Sequence, residues 1–256
     1  EVTGKLGTTY KITKDVRFKA NVGTAYRAPT ASELYFSWHH TPNAKMDVQI
    51  NGNPDLKPEK ALNFDLGFEM EKGKTFGKIT YFHNKVDDLI NIDTVMSRLP
   101  GFPPRMLATG TYRNIDSATM QGVELEARQA LGGGFSVRGL YTYLDARDDK
   151  TGDRLPGRPY HKASLQLSYE DQKNGWNATL WNDWTAGYRY QEQVGSGRMA
   201  RTISKDASLS ILNFVVSKKI NDHFSAYVGI DNIFDKESDA LAYDGRIWRG
   251  GVNMTF

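Results

Sequence analysis

Hydrophobic and polar residues alternate with a period of two along most of the chain. In the segment VRFKANVGTAY, Val16, Phe18, Ala20 and Val22 fall on one face, and polar residues or glycine occupy the other. A strand points successive side chains to opposite faces of its sheet, so this alternation predicts β-strands with one apolar face. The same pattern recurs in ALNFDLGFEM, ASLQLSYE and the final IWRGGVNMTF.

About eleven segments of this kind occur, and helix-period patterns are scarce. Many of them run for about 10 to 13 residues, which is long for a soluble strand and enough to cross a bilayer at a tilt. The best candidate for a helix is APTASELYF, with one or two turns at most. The predicted strands lie near residues 2–12, 16–26, 60–71, 76–91, 110–128, 135–145, 159–170, 175–187, 206–219, 223–235 and 246–256.

The connections between these segments alternate between short and long. The short ones, rich in Gly, Asn and Asp, are 13–15, 71–75, 131–134, 171–175 and 221–222. The long ones are 27–59, 92–109, 146–158, 188–205 and 236–245. An up-and-down meander gives this alternation when one rim has tight turns and the other carries functional loops. The sequence therefore favours an all-β, antiparallel up-and-down transmembrane β-barrel over a soluble sandwich, although alternation alone fits both.

The final residue, Phe256, closes an alternating strand, as the terminal aromatic signal of outer-membrane barrels does. If that strand runs down to the periplasm, every short turn lies on the periplasmic rim. Eleven strands is an odd number, whereas bacterial single-chain barrels have an even number. We therefore expect residues 1–256 to be the C-terminal part of a transmembrane β-barrel, unless the count is wrong by one.

Composition and charge exclude several classes of function. The net charge is +3 without a basic stripe, so nucleic acid is not an expected partner. No apolar run approaches the roughly 18 residues of a transmembrane helix, whereas barrel strands never form such runs. His83, His161 and His223 are scattered without catalytic or metal-ligand spacing, so we predict neither an enzyme nor an intrinsic cofactor. The alternative of another class is a passive porin or a structural barrel.

An ordered set of motifs then gives a specific resemblance. These motifs are YRAPTASELY, GNPDLKPEK, YFHNKVDDLI, YRNIDSATMQGVELEA, GRPYHKASLQLSY, GIDNIFDK and GVNMTF. Together, over residues 16–256, they resemble the C-terminal half of a TonB-dependent outer-membrane receptor. The resemblance implies a bacterial outer-membrane location and a 22-stranded barrel, of which about 11 strands are present. It also implies an N-terminal plug domain, which is absent here together with the remaining strands.

The resemblance implies the partners as well. They are the TonB complex, engaged through the missing N-terminal region, outer-membrane lipid, and an iron chelate as the transported ligand. Colicin or phage binding to the long loops is compatible with this function. Energy would come from the proton-motive force through TonB, with no nucleotide bound.

Two adjacent histidines lie between the Tyr26–Pro29 box and the Asn53–Leu56 box. Haem receptors of the family carry a histidine between these boxes, and imidazole is a good axial ligand for haem iron. The resemblance therefore implies His40 as the ligand of the haem iron, with His39 in reserve. The other predicted ligand-binding residues are Tyr26, Arg27 (toward a propionate), Tyr35, Phe36 and Trp38.

The same boxes occur in siderophore and colicin receptors that bind no haem. A ferric catecholate siderophore is anionic and aromatic, so arginine and tyrosine on the long loops would suit it through charge and stacking. Such residues are Arg105, Tyr112, Arg113, Arg154, Arg158, Tyr188, Arg189 and Tyr190. Haem is slightly preferred, a ferric siderophore is the alternative, and cobalamin or sugars follow. The Asn53–Leu56 box itself is predicted to be structural, because Pro54 and Pro58 stiffen the loop exit.

Overall fold

The computed structural model describes residues 2–43, 46–99, 105–194 and 201–255, and these residues are almost entirely β-structure. In chain order the elements are β1 (Lys5–Lys11), β2 (Val16–Arg27), α1 (Ala31–Tyr35), β3 (Ser37–Asn43), β4 (Met46–Asn51), β5 (Glu59–Lys72), β6 (Thr75–Leu99), β7 (Arg105–Gly132), β8 (Phe135–Asp148), β9 (Pro159–Asp171), β10 (Trp176–Val194), β11 (Arg201–Lys219), β12 (Phe224–Asp231), β13 (Glu237–Ser238), a 3-10 turn (Asp239–Leu241), β14 (Tyr243–Asp244) and β15 (Ile247–Met254). No helix in the described ranges is long and apolar enough to span a membrane.

Eleven of these strands form one antiparallel meander, in the order β1-β2-β5-β6-β7-β8-β9-β10-β11-β12-β15. The predicted fold class and strand number are confirmed. The predicted helix is also confirmed, as the single short helix α1 among the described residues. Phe256 lies outside the described residues.

One face of this sheet is apolar from strand to strand. The cross-strand pairs on it bring neighbouring positions into one row, which runs Phe18, Phe68, Ile79, Leu125, Tyr141, Ala163 and Trp184. No second layer among the described residues covers the row, since Phe68 is 50% exposed and Leu165, near its end, is 51% exposed. A large uncovered apolar face of this kind is the face that a membrane barrel turns to lipid.

The opposite face carries paired charges. Glu69 on β5 accepts from Arg17 at 2.5 Å and from Lys19 at 2.6 Å, both on the neighbouring strand β2. Asp65 accepts from the amide of Asn21 at 2.6 Å. Polar residues that alternate with the lipid-facing row belong on the lumen side of a barrel.

Two rows of aromatic side chains border the apolar face. Phe135 and Tyr143 on β8 are eight residues apart, and so are Trp176 and Trp184 on β10. The ring of Phe135 also lies 4.7 Å from that of Tyr169 on β9. Eight residues of a strand tilted as in membrane barrels span about 20 Å of bilayer. The two rows therefore mark the two membrane interfaces, and we call the one containing Tyr143 and Trp184 the outer aromatic row.

Short and long connections alternate as predicted. The tight turns, all on one rim, are 12–15, 73–74, 133–134, 172–175 and 220–223. The predicted long loops at 92–109 and 188–205 are wrong, because the strands continue through most of them. Leu99 still pairs with Arg105, and Val194 with Arg201. An antiparallel partner satisfies the backbone hydrogen bonds of each strand, so pairing continues above the bilayer, past the length that crossing requires.

The two edge strands constrain how the sheet is completed. Among the described residues β1 pairs only with β2, and β15 only with β12. With eleven alternating strands, β1 and β15 run in the same direction and cannot join as antiparallel neighbours. Lipid offers no hydrogen bonds to an exposed edge. Closing the sheet with antiparallel pairing throughout would take an odd number of further strands.

The assignment of the two faces is tested by paired substitutions at the middle of β9. We expect Leu165→Arg, on the lipid face, to destabilise the folded barrel by about 2–4 kcal/mol, because a guanidinium at the bilayer midplane loses its hydration. Its neighbour Gln166→Arg, on the lumen face, should cost far less. Urea-dependent folding into lipid vesicles measures both. Equal costs for the two variants would contradict the assignment.

Candidate functional site

The longest connection, residues 28–58, begins with a capped helical turn. Thr30 is the N-cap of α1: its hydroxyl accepts from the N–H of Glu33 at 3.2 Å, and the Glu33 carboxylate accepts from the Thr30 N–H at 2.7 Å. This reciprocal pair is a capping box, which satisfies backbone N–H groups left free at a helix start. The sequence TASE therefore fixes where the chain turns after β2.

Arg27, at the end of β2, ties this helix to the sheet. Its guanidinium donates to both carboxylate oxygens of Glu59 on β5, at 2.7 and 2.5 Å, and to both oxygens of Glu33, at 3.0 Å. Glu59 also accepts from the backbone N–H of Ile90 at 2.9 Å. Bidentate pairs of this kind are among the stronger side-chain interactions. The geometry makes Arg27 the anchor of the loop, and a ligand propionate would have to compete with two carboxylates for it.

The exit of the loop is held by the Asn53–Leu56 box. The side-chain oxygen of Asn53 accepts from the N–H of Asp55 at 3.0 Å, and its amide donates to the carbonyl of Tyr112 on β7 at 3.0 Å. Leu56 is buried. These contacts agree with a structural role for this box.

Asn114 on β7 is a further anchor that the sequence reasoning missed. Its amide oxygen accepts from the N–H of Lys57 at 2.8 Å, and its amide nitrogen donates to the carbonyls of Lys57 at 2.8 Å and Asp88 at 2.6 Å. Asp88 has a φ of +56°. One asparagine thus joins the loop exit to a left-handed residue of β6. No local pattern could have shown this, because the partners lie far apart in sequence.

The middle of the loop forms the hairpin β3–β4, which docks onto the main sheet. Strand β4 pairs in parallel with β7, from Met46 opposite Met106 to Asn51 opposite Thr111. In the described part of the chain, β8 pairs with β7 only up to Ala118, so β4 occupies the edge above it. The sequence predicted neither this hairpin nor its pairing, since parallel pairing leaves no local signal.

Gly52 makes the close approach between this hairpin and α1 feasible. A Cβ atom at this position would lie 2.6 Å from backbone atoms of Leu34 and Tyr35. The Gly52 N–H donates to the carbonyl of Phe36 at 2.5 Å. Only glycine fits where two backbones come this close.

The two histidines lie on opposite faces of β3. His40 is exposed and stacks on Trp38, with ring centroids 5.3 Å apart and planes at 21°. His39 instead places its Nε2 3.7 Å from Oδ1 of Asp47, a carboxylate that is buried and also accepts from the Thr41 hydroxyl at 2.6 Å. The structure therefore joins two predicted site residues, Trp38 and His40, and gives His39 a different environment.

The other predicted aromatic residues of the loop are more dispersed. Tyr26 pairs with Lys60 near the end of β2, Tyr35 ends α1 with 72% of its surface exposed, and Phe36 follows it. Among the described residues, no ring contact joins these three side chains to the Trp38–His40 pair. Tyr35 and Phe36 lie in the loop and Tyr26 lies on β2 before it, so the three side chains do not form one compact site.

The arginines and tyrosines of the other long connections differ in whether their side chains already have partners in the structure. Arg154 and Arg189 both donate to Asp206, and Arg158 donates to the carbonyl of Pro156 at 3.1 Å. The side chain of Arg105 lies outside the described residues. The remaining candidates of this group are Tyr112, Arg113, Tyr188 and Tyr190, of which Arg113 is exposed.

Ionisation of Glu33 couples the loop anchor to pH. Burial alone would raise the pKa of Glu33, but the Thr30 backbone N–H and then the Arg27 guanidinium hold it below its ordinary value of 4.5. A depressed folded-state pKa contributes stability that is present above the ordinary value and is lost as pH falls through the depressed one. The anchor is therefore intact at neutral pH and weakens only in acid below 4.5.

We expect amide hydrogen exchange in residues 30–36, corrected for intrinsic rates, to accelerate as pH falls below 4.5. Glu33→Gln should lower protection already at neutral pH and remove this acid dependence. Asp55→Asn, an exposed carboxylate on the same loop, is the matched control and should leave both unchanged. If exchange in Glu33→Gln still accelerates in acid, the pH dependence arises from another group.

Gly52→Ala should undock the hairpin from α1 at a cost of about 1–3 kcal/mol, because the new methyl group overlaps backbone atoms. Cleavage by chymotrypsin after Tyr35, Phe36 or Trp38 on intact cells measures this undocking. Gly139→Ala, where a Cβ meets nothing within 4 Å, is the control. An unchanged cleavage rate in Gly52→Ala would show that the close packing is not maintained.

Comparison with known proteins places this geometry in a family. A family model described as "TonB dependent receptor-like, beta-barrel" matches residues 1–233. The vitamin B12 transporter BtuB of Photobacterium profundum is 28% identical over 240 residues, covering 92% of this chain and 34% of that protein. The iron-regulated outer membrane virulence protein of Vibrio cholerae is 28% identical over 252 residues, covering 93% of this chain and 37% of that protein.

Solved structures give the same fold. The siderophore receptor PirA from Acinetobacter baumannii superimposes with a TM-score of 0.75 at 20% identity, covering 99% of this chain and 41% of that chain. This chain spans little more than a third of the two relatives matched by sequence. The resemblance drawn from the motifs is confirmed: the chain belongs to the TonB-dependent receptor β-barrel family, and its location is the bacterial outer membrane.

Proposed function

We propose that this chain is the part of a TonB-dependent receptor that presents an external binding surface for an iron chelate, with haem as the best fit. The observation that carries the proposal is the Trp38–His40 stack. It lies exposed on a hairpin that is docked at the rim opposite the tight turns. Ligands reach an outer-membrane barrel from that side.

The chemistry of the pair suits a flat metal macrocycle. An exposed imidazole offers a ring nitrogen to ferric iron, and the adjacent indole supplies a flat apolar surface for the macrocycle. Arg27, Arg154 and Arg189 already pair with carboxylates. They are therefore less suited to balance the charge of a ferric tris-catecholate, which favours haem over a catecholate siderophore.

A ferric siderophore is the second candidate, and the comparisons favour it. PirA is a siderophore receptor, and the Vibrio protein is iron-regulated. BtuB transports vitamin B12, so a corrinoid, which is another flat metal macrocycle, is a third ligand to test. Tyrosines on the β10–β11 hairpin would stack on catechol rings.

Uptake requires energy from elsewhere, since the motifs of this chain imply no nucleotide site. We propose that it comes through TonB, acting on an N-terminal plug that the family implies. The polar lumen face, with Glu69 and Asp65 on β5, would line the path past that plug. Binding of colicin or phage to the same loops stays a prediction. Family membership favours a receptor over a passive porin, a structural barrel or an enzyme.

Titration of the full-length receptor with hemin tests the ligand. We expect a Soret shift typical of histidine ligation, which His40→Ala abolishes and His39→Ala retains. Trp38→Leu should weaken binding by about tenfold, because it removes the stacking surface.

Two results would change the proposal. A Soret shift that is unaltered in His40→Ala would remove His40 from the site. If hemin produces no shift but a ferric tris-catecholate or aquocobalamin quenches receptor fluorescence at micromolar concentration, that ligand replaces haem.

A further inference from the structure

Arg154 has a mostly buried side chain that the proposed ligand site does not use. It lies in the connection 149–158 between β8 and β9, and its side chain is only 9% exposed. Burying a cation is costly unless it is fully paired. Three separate elements supply its partners.

The first two partners belong to the β10–β11 hairpin. Nη1 of Arg154 donates to both carboxylate oxygens of Asp206 on β11, at 3.1 and 3.2 Å. Its Nη2 donates to the carbonyl of Gly187 on β10 at 2.6 Å. Asp206 also accepts from Arg189, and this guanidinium and then that of Arg154 hold the pKa of Asp206 below its ordinary value, against the opposing effect of burial. This carboxylate lies above the outer aromatic row and stays ionised near neutral pH.

A β-bulge in β10 makes the Gly187 carbonyl available. The register with β11 shifts between Thr185 and Tyr188, and Gly187 has a φ of +66°. A residue in a bulge leaves the ladder, so its carbonyl is free for another donor. The connection is tied to β10 a second time by the N–H of Gly157, which donates to the carbonyl of Arg189 at 2.8 Å.

The third partner is the ring of Tyr160 on β9, whose centroid lies 3.4 Å from the guanidinium carbon. Tyr160 stacks in turn on Tyr143, with planes at 14° and centroids 6.1 Å apart. Tyr143 belongs to the outer aromatic row. The guanidinium is therefore connected to the membrane interface as well as to the hairpin.

The β10–β11 hairpin depends on such a contact. In the described residues, β9 pairs with β10 only up to Tyr188, and β12 pairs with β11 only from Phe214 onward. Beyond Phe214, β11 is still held by the N–H of Ile233, which donates to the Leu212 carbonyl at 2.8 Å, and by Nζ of Lys236, which donates to the Ser210 carbonyl at 2.8 Å. Past Tyr188 and Ser210, strand pairing among the described residues joins β10 and β11 only to each other, and a two-stranded ribbon with little lateral support is marginally stable. Its contact with Arg154 lies at the base of this ribbon.

We propose that Arg154, with Tyr160, Gly187 and Asp206, forms a latch that fixes the direction of the β10–β11 hairpin above the membrane. The latch holds the connection 149–158, the hairpin and the outer aromatic row as one unit. Tyr188, Arg189 and Tyr190, which follow the bulge on β10, are then held at fixed positions above the outer aromatic row. Arg154 is a positioning residue for ligand capture, and this last step rests on the proposed function.

The latch is tested without any ligand by spin-label distances. These 256 residues contain no cysteine. In a full-length receptor with any other cysteine replaced, labels at Asp153→Cys and Ser204→Cys measure the distance between the connection and the hairpin. We expect Arg154→Met to widen the distance distribution at least about twofold, because it removes the hydrogen bonds from the guanidinium to Asp206 and Gly187 and leaves only the Gly157 bond to β10. Arg154→Lys should restore part of the narrow distribution. Arg158→Met, which removes a bond to Pro156 only, is the matched control and should keep it narrow.

Two results would overturn the latch. One is a spin-label distance distribution that is as narrow in Arg154→Met as in the parent, and the other is equal widening in Arg158→Met. If Arg154→Met fails to fold, Asp206→Asn provides the same test, since it weakens the contacts of both arginines. For hemin, we expect the latch variants to bind several-fold more weakly while the Soret position of the bound form is unchanged. Absence of hemin binding in the parent would remove the proposed ligand and leave the distance result intact.

Discussion

A bilayer interior offers no hydrogen bonds, and the rest of the structure depends on that constraint. Each strand of the meander satisfies its backbone through its sequence neighbours, which leaves unpaired groups at the outer edges of β1 and β15 among the described residues. Because these edges run in the same direction, antiparallel closure would take an odd number of further strands between them. One face of the sheet meets lipid and the other meets a polar lumen. Apolar and polar residues therefore alternate along each strand, and this period of two dominates the sequence.

Above the membrane, a different interaction holds the structure. Connections that leave the sheet are held by single buried apolar side chains, Leu56 and Leu155, and by charged groups with several partners. Arg27 joins β2, β5 and α1 through Glu59 and Glu33, while Arg154 joins the connection 149–158 to β10 and β11. Arginine suits this task because its planar group offers several donors in fixed directions. The exposed Trp38–His40 pair is thus carried on a framework of such anchors.

The sequence predicted the parts of the fold that local rules govern. Alternation located the eleven strands, Gly, Asn and Asp located the tight turns, and the segment APTASELYF was the predicted site of a short helix. It failed where partners are distant: the docking of β4 on β7, the role of Asn114, and the paired state of Arg154 have no local signal. Strand ends above the bilayer were also misplaced, because backbone pairing continues where lipid no longer sets the length. The family motifs implied His40 as the ligand with His39 in reserve, and Trp38 was one of several aromatic residues predicted for the site. Only the strand geometry pairs Trp38 with His40 and places His39 on the other face of β3.

The central claim is that one face of the sheet meets lipid and the other meets water. Single spin labels placed in turn at residues 163 to 168 of β9, in the full-length receptor reconstituted in vesicles, test it most directly. Accessibility to oxygen, which concentrates in lipid, should peak at 163, 165 and 167, and accessibility to a water-soluble nickel complex should peak at 164, 166 and 168. Accessibility without a period of two, or with the two phases exchanged, would contradict the account.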